Sequence, residues 1–186
     1  AMASGIRVGK TAKKDWTNSM RAYDVFDVKA DALAVIAAAK GPIEAPQITT
    51  DAPSYYHPGR SGVIRLGKNV LAYFGELHPA ILKALDIKTN VMAFEVFLDN
   101  IPLPRDAKSK AKKKLELSPL QAVDKDLAFV VARNVSAVSI AAAAKNADRS
   151  NIADVRIFDV YEGENLPEDK KSVAISVTFQ PKDKTY

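Results

Sequence analysis

SPLQAVDKDLAFVV at residues 118–131, read together with IFDVYEG at residues 157–163, decides the fold of the second half of this chain. A polar approach containing Pro119 passes an acidic–basic–acidic trio (Asp124, Lys125, Asp126) and then enters a near-continuous apolar run. A central strand needs such a run because it is covered on its faces, and its entry needs residues that water can hold. Residues 126–131 therefore read as the first strand of a new domain. The residues before them read as a separate unit, and those after them read as one small α+β module.

Within that module the expected order is strand, helix, strand, strand. Ser136 can cap a helix running to about Ala147, with Ile140, Ala143, Ala144 and Ala147 on its buried stripe. Residues 153–162 form the second strand and residues 171–180 the third. In the third strand Val173, Ile175, Val177 and Phe179 share one face, while Ser172, Ala174, Ser176 and Thr178 share the other. One face is apolar and helix-covered. The other is small and polar, the kind of surface on which unpaired nucleobases can lie. Asp159 and Tyr161, two apart in a strand, project from one face. A tyrosine ring stacks on any base, and a carboxylate accepts from the imino and amino donors of guanine's pairing edge. The same spacing also describes an Asp at a strand end beside a half-buried Tyr on an ordinary sheet.

The first unit opens with SGIRVGK (residues 4–10) and a polar, basic stretch around Trp16. A helix comes next, with Asp27 as N-cap, Asp31 near its positive end, and Leu33, Ile36 and Ala37 at helical spacing; Lys40, Gly41 and Pro42 close it. A short strand at residues 46–49 precedes YYHPGRSGVIRLG (residues 55–67), read as a strand entered through a Pro-Gly turn. A strand at residues 70–74 leads to GELHPAILKALDI. There Pro79 suits the first helical position, His78 or Glu76 can meet free amides, and Ile81, Leu82 and Leu85 face inward. Residues 91–98 make a further strand. This order predicts an antiparallel or mixed sheet with helices against it. His57 with Arg60 is the tempting catalytic pair, an acid or base beside an anion clamp. Without a nucleophile, a carboxylate dyad or a glycine-rich phosphate loop, it equally describes a strand entry whose arginine is structural.

Between the units, residues 105–117 carry six basic residues between Arg105 and Lys114 and little to bury, a basic linker. The composition sets wider bounds. The 186 residues are 47% hydrophobic, enough for one or two cores. No apolar run approaches the length of a membrane helix. Ala1, Met2 and Ala3 run straight into polar sequence, resembling an expression scar rather than a secretory leader. The absence of cysteine excludes disulfides and thiolate metal sites and fits a cytoplasmic protein, and two histidines suit few zinc sites. A net charge of +5 favours an anionic partner.

SPLQAVDKDLAFVV followed by IFDVYEG resembles the ferredoxin-fold anticodon-binding domain that closes the β subunit of bacterial phenylalanyl-tRNA synthetases. HPGRSGVIRLG with FGELHP is similar to that family's catalytic-like module, a degenerate relative of the class II synthetase core that serves subunit assembly. The resemblance implies a domain plan of residues 4–104, 105–117 and 118–186: catalytic-like module, linker and anticodon-binding domain. It implies contacts between the anticodon loop of phenylalanine tRNA and Asp159, Tyr161 and Ser172, an α subunit as partner in an α2β2 heterotetramer, and ATP with Mg2+ for the whole ligase. It assigns no catalytic residue and no metal or cofactor to this stretch. A βαββαβ fold also needs a second helix and a fourth strand, whereas Lys184, Thr185 and Tyr186 stand where the helix would begin. The expectation is therefore a C-terminal fragment with an unpaired edge on its first strand and half of an apolar sheet face uncovered. Two other classes stay open at this point: an enzyme using His57, Arg60 and His78, and a ferredoxin-like regulatory module that binds a small molecule.

Overall fold

The structure is a computed structural model that describes residues 1–17, 19–39, 41, 46–102 and 118–182. The basic segment read as a linker lies outside these residues, as do Lys40, Pro42 and Lys184 to Tyr186. The chain divides into two compact units, Ala1–Lys110 and Ala111–Tyr186.

The first unit is a five-stranded antiparallel sheet with one long helix across one face. In chain order its elements are β1 (Met2–Val8), α1 (Val25–Ala38), β2 (Gln47–Thr49), β3 (Tyr56–Leu66), β4 (Asn69–Leu77), α2 (Pro79–Ala84) and β5 (Val91–Phe97). The sheet order is β1-β5-β4-β3-β2. Met2 and Ala3, read from sequence as a scar, begin β1 and pair with Phe97 and Val96. Residues 4–8, to which the sequence pattern assigns no element, continue that strand.

Helix α1 buries Val28, Ala32 and Ile36, spaced four apart so that they stack on one face. They pack against Ile64, Leu71, Phe74, Met92 and Val96 of the sheet. Its N-cap is Asp24, not Asp27. The Asp24 carboxylate accepts from the Phe26 amide at 2.8 Å and the Asp27 amide at 3.3 Å, and the Asp27 carboxylate accepts back from the Asp24 amide at 2.8 Å, a reciprocal capping box. Arg21 donates twice to Asp27, at 2.7 and 2.8 Å, and holds that carboxyl low, at about 2. Arg7 on β1 reaches Asp31 with two bonds of 2.8 Å, fastening the helix to the sheet edge. Helix α2 begins as predicted, with Pro79 in its first turn and His78 as cap. Of its three expected inward residues, Leu82 is buried, Ile81 is half-buried and Leu85 is exposed, because the helix stops after six residues and Leu85 is already its C-cap.

The second unit is a three-stranded antiparallel sheet, β6 (Val123–Ala132), β8 (Lys170–Phe179) and β7 (Ile152–Tyr161) in that order, with α3 (Ala137–Ala147) packed mainly on β7. Asp124 and Lys125, read as the approach to a strand that begins at Asp126, already belong to it. Ser136 caps α3, its hydroxyl accepting from the Ser139 amide at 3.2 Å. The buried stripe of α3 runs through Ala137, Ile140 and Ala144; Ala143 and Ala147 face solvent. The alternation of β8 holds: Val173, Ile175 and Val177 are buried, and Ser172, Ala174, Ser176 and Thr178 are half-buried on the opposite face. Opposite residues of an antiparallel pair share a face. Leu127 and Phe129, opposite Ile175 and Val173, therefore lie on the apolar side, yet they are 45% and 39% exposed. Strand β6 is an edge of this sheet, and α3 leaves its apolar side open.

Candidate nucleic-acid interface

The open face of the second sheet can be read row by row from its register. Ser172 of β8 lies between Val130 and Tyr161, and Ala174 between Ala128 and Asp159. Ser176 lies between Asp126 and Arg156, and Thr178 between Asp124 and Asp154. Asp159, Tyr161 and Ser172 thus stand on one face, in two adjacent rows. Tyr161 is 42% exposed. Among the described residues neither Asp159 nor Tyr161 makes a side-chain hydrogen bond or ion pair, whereas Asp124 at the far end accepts from the Thr178 hydroxyl at 2.6 Å.

This placement depends on an irregularity that strand periodicity does not foresee. Ile157, Asp159 and Tyr161 have the same parity, so an unbroken strand would point all three the same way. Ile157 lies opposite buried Ile175, on the helix side. The register then shifts by one between Ile157 and Asp159, so that two residues of β7, Phe158 and Asp159, oppose Ala174. The bulge reverses the phase and delivers Asp159 and Tyr161 to the open face. Phe158, the extra residue, is 51% exposed. The signal is present in the sequence: apolar Val155 and Ile157 are followed at the same parity by Asp159 and Tyr161, a change of environment that a bulge accounts for.

Charge is divided unequally on this face. Asp124, Asp126, Asp154 and Asp159 lie on it with Arg156 as the cation among them, and Lys170, opposite Ala132, stands beyond Ser172 at the Tyr161 end. Near that end Arg133 pairs with Glu162 at 3.3 Å, beside a hollow also lined by Glu164, Glu168 and Lys170.

The rival constellation in the first unit is closed. The HPGR segment is not a turn but part of β3, where the register with β4 shifts between Tyr56 and Ser61. Gly75, with φ of +153°, lies so close beneath that a Cβ there would sit 2.6 Å from the Ser61 Cα. Arg60 donates to Glu76 at 2.7 Å, and Glu76 is 3% exposed. The Nδ1 atom of His57 accepts from the Gly59 amide at 3.0 Å, and that of His78 from the Ala80 amide at 3.2 Å. Each of the three side chains is therefore engaged by its own surroundings. Nearby, burial and the Glu95 carboxylate, to which its hydroxyl donates at 3.0 Å, push the Tyr55 phenol up to about 12. Among the described residues no three His, Asp or Glu side chains come together to hold a metal, and no helix is long and apolar enough to cross a membrane.

Comparison with known proteins gives the same division. Residues 1–98 match the phenylalanyl tRNA synthetase beta chain CLM domain, and residues 118–186 match the ferredoxin-fold anticodon binding domain. Curated relatives include the phenylalanine–tRNA ligase beta subunits of Rhodospirillum rubrum, 50% identical across 99% of this chain, and Bradyrhizobium diazoefficiens, 48% identical across 98%. The subunit of Paramagnetospirillum magneticum is 45% identical across 99%. In each case the chain spans 23% of the relative's length. The chain belongs to the phenylalanyl-tRNA synthetase beta-chain family, combining the CLM domain with the ferredoxin-fold anticodon-binding domain.

Proposed function

We propose that this chain is the C-terminal part of a phenylalanine–tRNA ligase β subunit, and that residues 118–186 bind the anticodon loop of phenylalanine tRNA through Asp159, Tyr161 and Ser172. Residues 4–104 are then the class II-like module that supports assembly with the α subunit in an α2β2 enzyme, with residues 105–117 as the basic connection. The whole enzyme is cytoplasmic and joins phenylalanine to tRNA using ATP and Mg2+. Activation belongs to the rest of that enzyme, and the chain described here contributes recognition.

The observation that carries this reading is the bulge in β7, which sets an unpartnered carboxylate and a half-exposed tyrosine side by side over small residues of β8. The charge of the face sharpens the reading. Four carboxylates against one or two cations repel a phosphate backbone, so this surface is suited to base edges and ring faces. Tyr161 supplies stacking that is indifferent to the base. Asp159 supplies an acceptor for the paired imino and amino donors that guanine presents and adenine lacks. Such a residue raises specificity more than affinity.

The test compares wild type with Asp159→Ala in the full-length β subunit, on RNA hairpins whose loops carry guanine or adenine at the first anticodon position, at fixed salt. The expected outcome is a loss of discrimination, with the guanine loop weakened and the adenine loop unchanged or tighter. Equal losses on both loops make Asp159 structural and remove it from the site.

A further inference from the structure

We propose that Gly163 is a positioning residue for Tyr161, its missing side chain leaving the space in which the tyrosine ring lies. The inference rests on the reading of Tyr161 given above. A Cβ built on Gly163 would fall 2.3 Å from the Tyr161 hydroxyl oxygen, 2.4 Å from Cζ and 3.0 Å from Cε2. All three atoms belong to the outer end of one side chain, so the tyrosine leans forward over the glycine two residues on, past the end of its strand. The backbone does not require glycine here: the positive-φ glycines are Gly9, Gly67 and Gly75, and Gly163 is not among them. The three atoms nearest to such a Cβ all belong to the Tyr161 side chain.

Among the described residues, phenylalanine rings press as closely on two other glycines, and the contrast separates a core device from a surface one. Cβ atoms built on Gly5 and Gly62 would fall 2.6 and 2.5 Å from the rings of Phe94 and Phe74. Those are cross-strand pairs in the first sheet; Phe74 is buried in the core, and the half-buried Phe94 packs against it. There the glycine admits an aromatic group to an interior that tolerates no gaps. Tyr161 is outside the second unit's core and 42% exposed. A glycine beneath it fills no interior. It fixes the direction of the ring on the face that Tyr161 shares with Asp159 and Ser172. A stacking residue held in place before its base arrives loses less rotational freedom on binding.

The experiment is a double-mutant cycle in the full-length β subunit, using wild type, Gly163→Ala, Tyr161→Ala and the double variant. The probe is a hairpin carrying the guanine-containing anticodon loop of phenylalanine tRNA, and thermal unfolding is recorded alongside. Tyr161→Ala is expected to weaken binding about 5- to 140-fold, the stacking contribution expressed as a ratio. Gly163→Ala should weaken it by much of that factor without lowering Tm, and should add nothing when Tyr161 is already alanine. Equal losses from Gly163→Ala in both backgrounds would show that it acts on something other than the ring and overturn the proposal. Wild-type binding by Gly163→Ala, with Tyr161→Ala impaired, would overturn it as well. Unfolding of both variants that carry the alanine would show that the backbone itself demands glycine, again against the proposal. Wild-type binding by Tyr161→Ala is a different result, because it removes Tyr161 from the site.

Discussion

Both sheets carry a register shift at the place where the chain's most suggestive side chains lie, and the two shifts have opposite consequences. In β3 the irregular HPGR segment brings Arg60 onto Glu76, a carboxylate that is 3% exposed, and the histidines around it accept from neighbouring amides. The buried carboxylate is matched by an arginine that reaches it from the surface. In β7 the bulge at Phe158 carries Asp159 and Tyr161 away from the apolar side and leaves them without partners among the described residues. A polar group that is already satisfied has little left to offer a ligand, whereas one held in the open on a rigid strand can bind at little reorganisation cost. Of the two irregular strands, the one whose side chains have no partner among the described residues carries the proposed binding surface.

The largest expected effect tests the closed half of this comparison. Arg60→Ala leaves the Glu76 carboxylate buried without its cation, which should cost about 3 kcal/mol of stability in the first unit, read from urea unfolding. Binding of the anticodon-loop hairpin should not change. A loss below about 0.5 kcal/mol would reduce the pair to an ordinary surface bridge, consistent with the 56% exposure of the Arg60 side chain rather than with the burial of its partner.

The open half is tested at the ring it presents. Tyr161→Ala should weaken hairpin binding by the roughly 1–3 kcal/mol of one lost stacking contact. Deleting Phe158 seats Asp159 directly after Ile157 and still opposite Ala174, so Asp159 and Tyr161 stay on the open face and hairpin binding should be retained. Amide exchange on β8 should stay slow in both variants, reporting that the sheet survives. Loss of binding on deletion of Phe158, with β8 still protected, would mean that the bulge does more than set the phase of these residues.

The same two shifts explain what could be read without coordinates. The third strand of the second unit was legible because Val173, Ile175 and Val177 alternate without interruption against Ser172, Ala174 and Ser176, and no irregularity disturbs their parity. The pairing of Asp159 with Tyr161 on one face was legible from spacing alone, but which face was not, since parity with Ile157 pointed to the wrong one. The β3 segment was misread as a turn because proline and glycine usually end strands, and here they form an irregular stretch within one. Strand β1 went unseen because it is a short edge strand with few large apolar residues. Its Gly5 makes sense only once the Phe94 ring lies over it. The helix start was displaced by one turn because Asp24 and Asp27 are both good caps. Only their three-residue spacing identifies a reciprocal box, in which the first residue is the cap.

That box supplies the smallest of the expected effects and a further difference between the units. Helix α1 is started by two carboxylates and an arginine, whereas α3 is started by the Ser136 hydroxyl, which does not titrate in this range. The Asp27 carboxyl is held at about 2, chiefly by the Arg21 hydrogen bonds and then by the Asp24 amide. Its ordinary value in an unfolded chain is about 3.9. Because the folded value is the lower one, its contribution is fully present above about pH 4 and is lost as pH falls from there toward 2. Asp27→Asn removes the charge at every pH. At pH 6 the variant should be less stable than wild type by about 1 kcal/mol, the usual scale for a helix cap. At pH 2 much of that difference should have gone, because the wild-type carboxyl is then about half protonated in the folded protein and almost fully protonated in the unfolded chain. Urea titrations of both proteins at the two pH values, followed by a probe on α1, measure the closing gap. A gap that stays constant with pH would mean that Asp27 acts through hydrogen bonding that its neutral form also makes, and not through its charge.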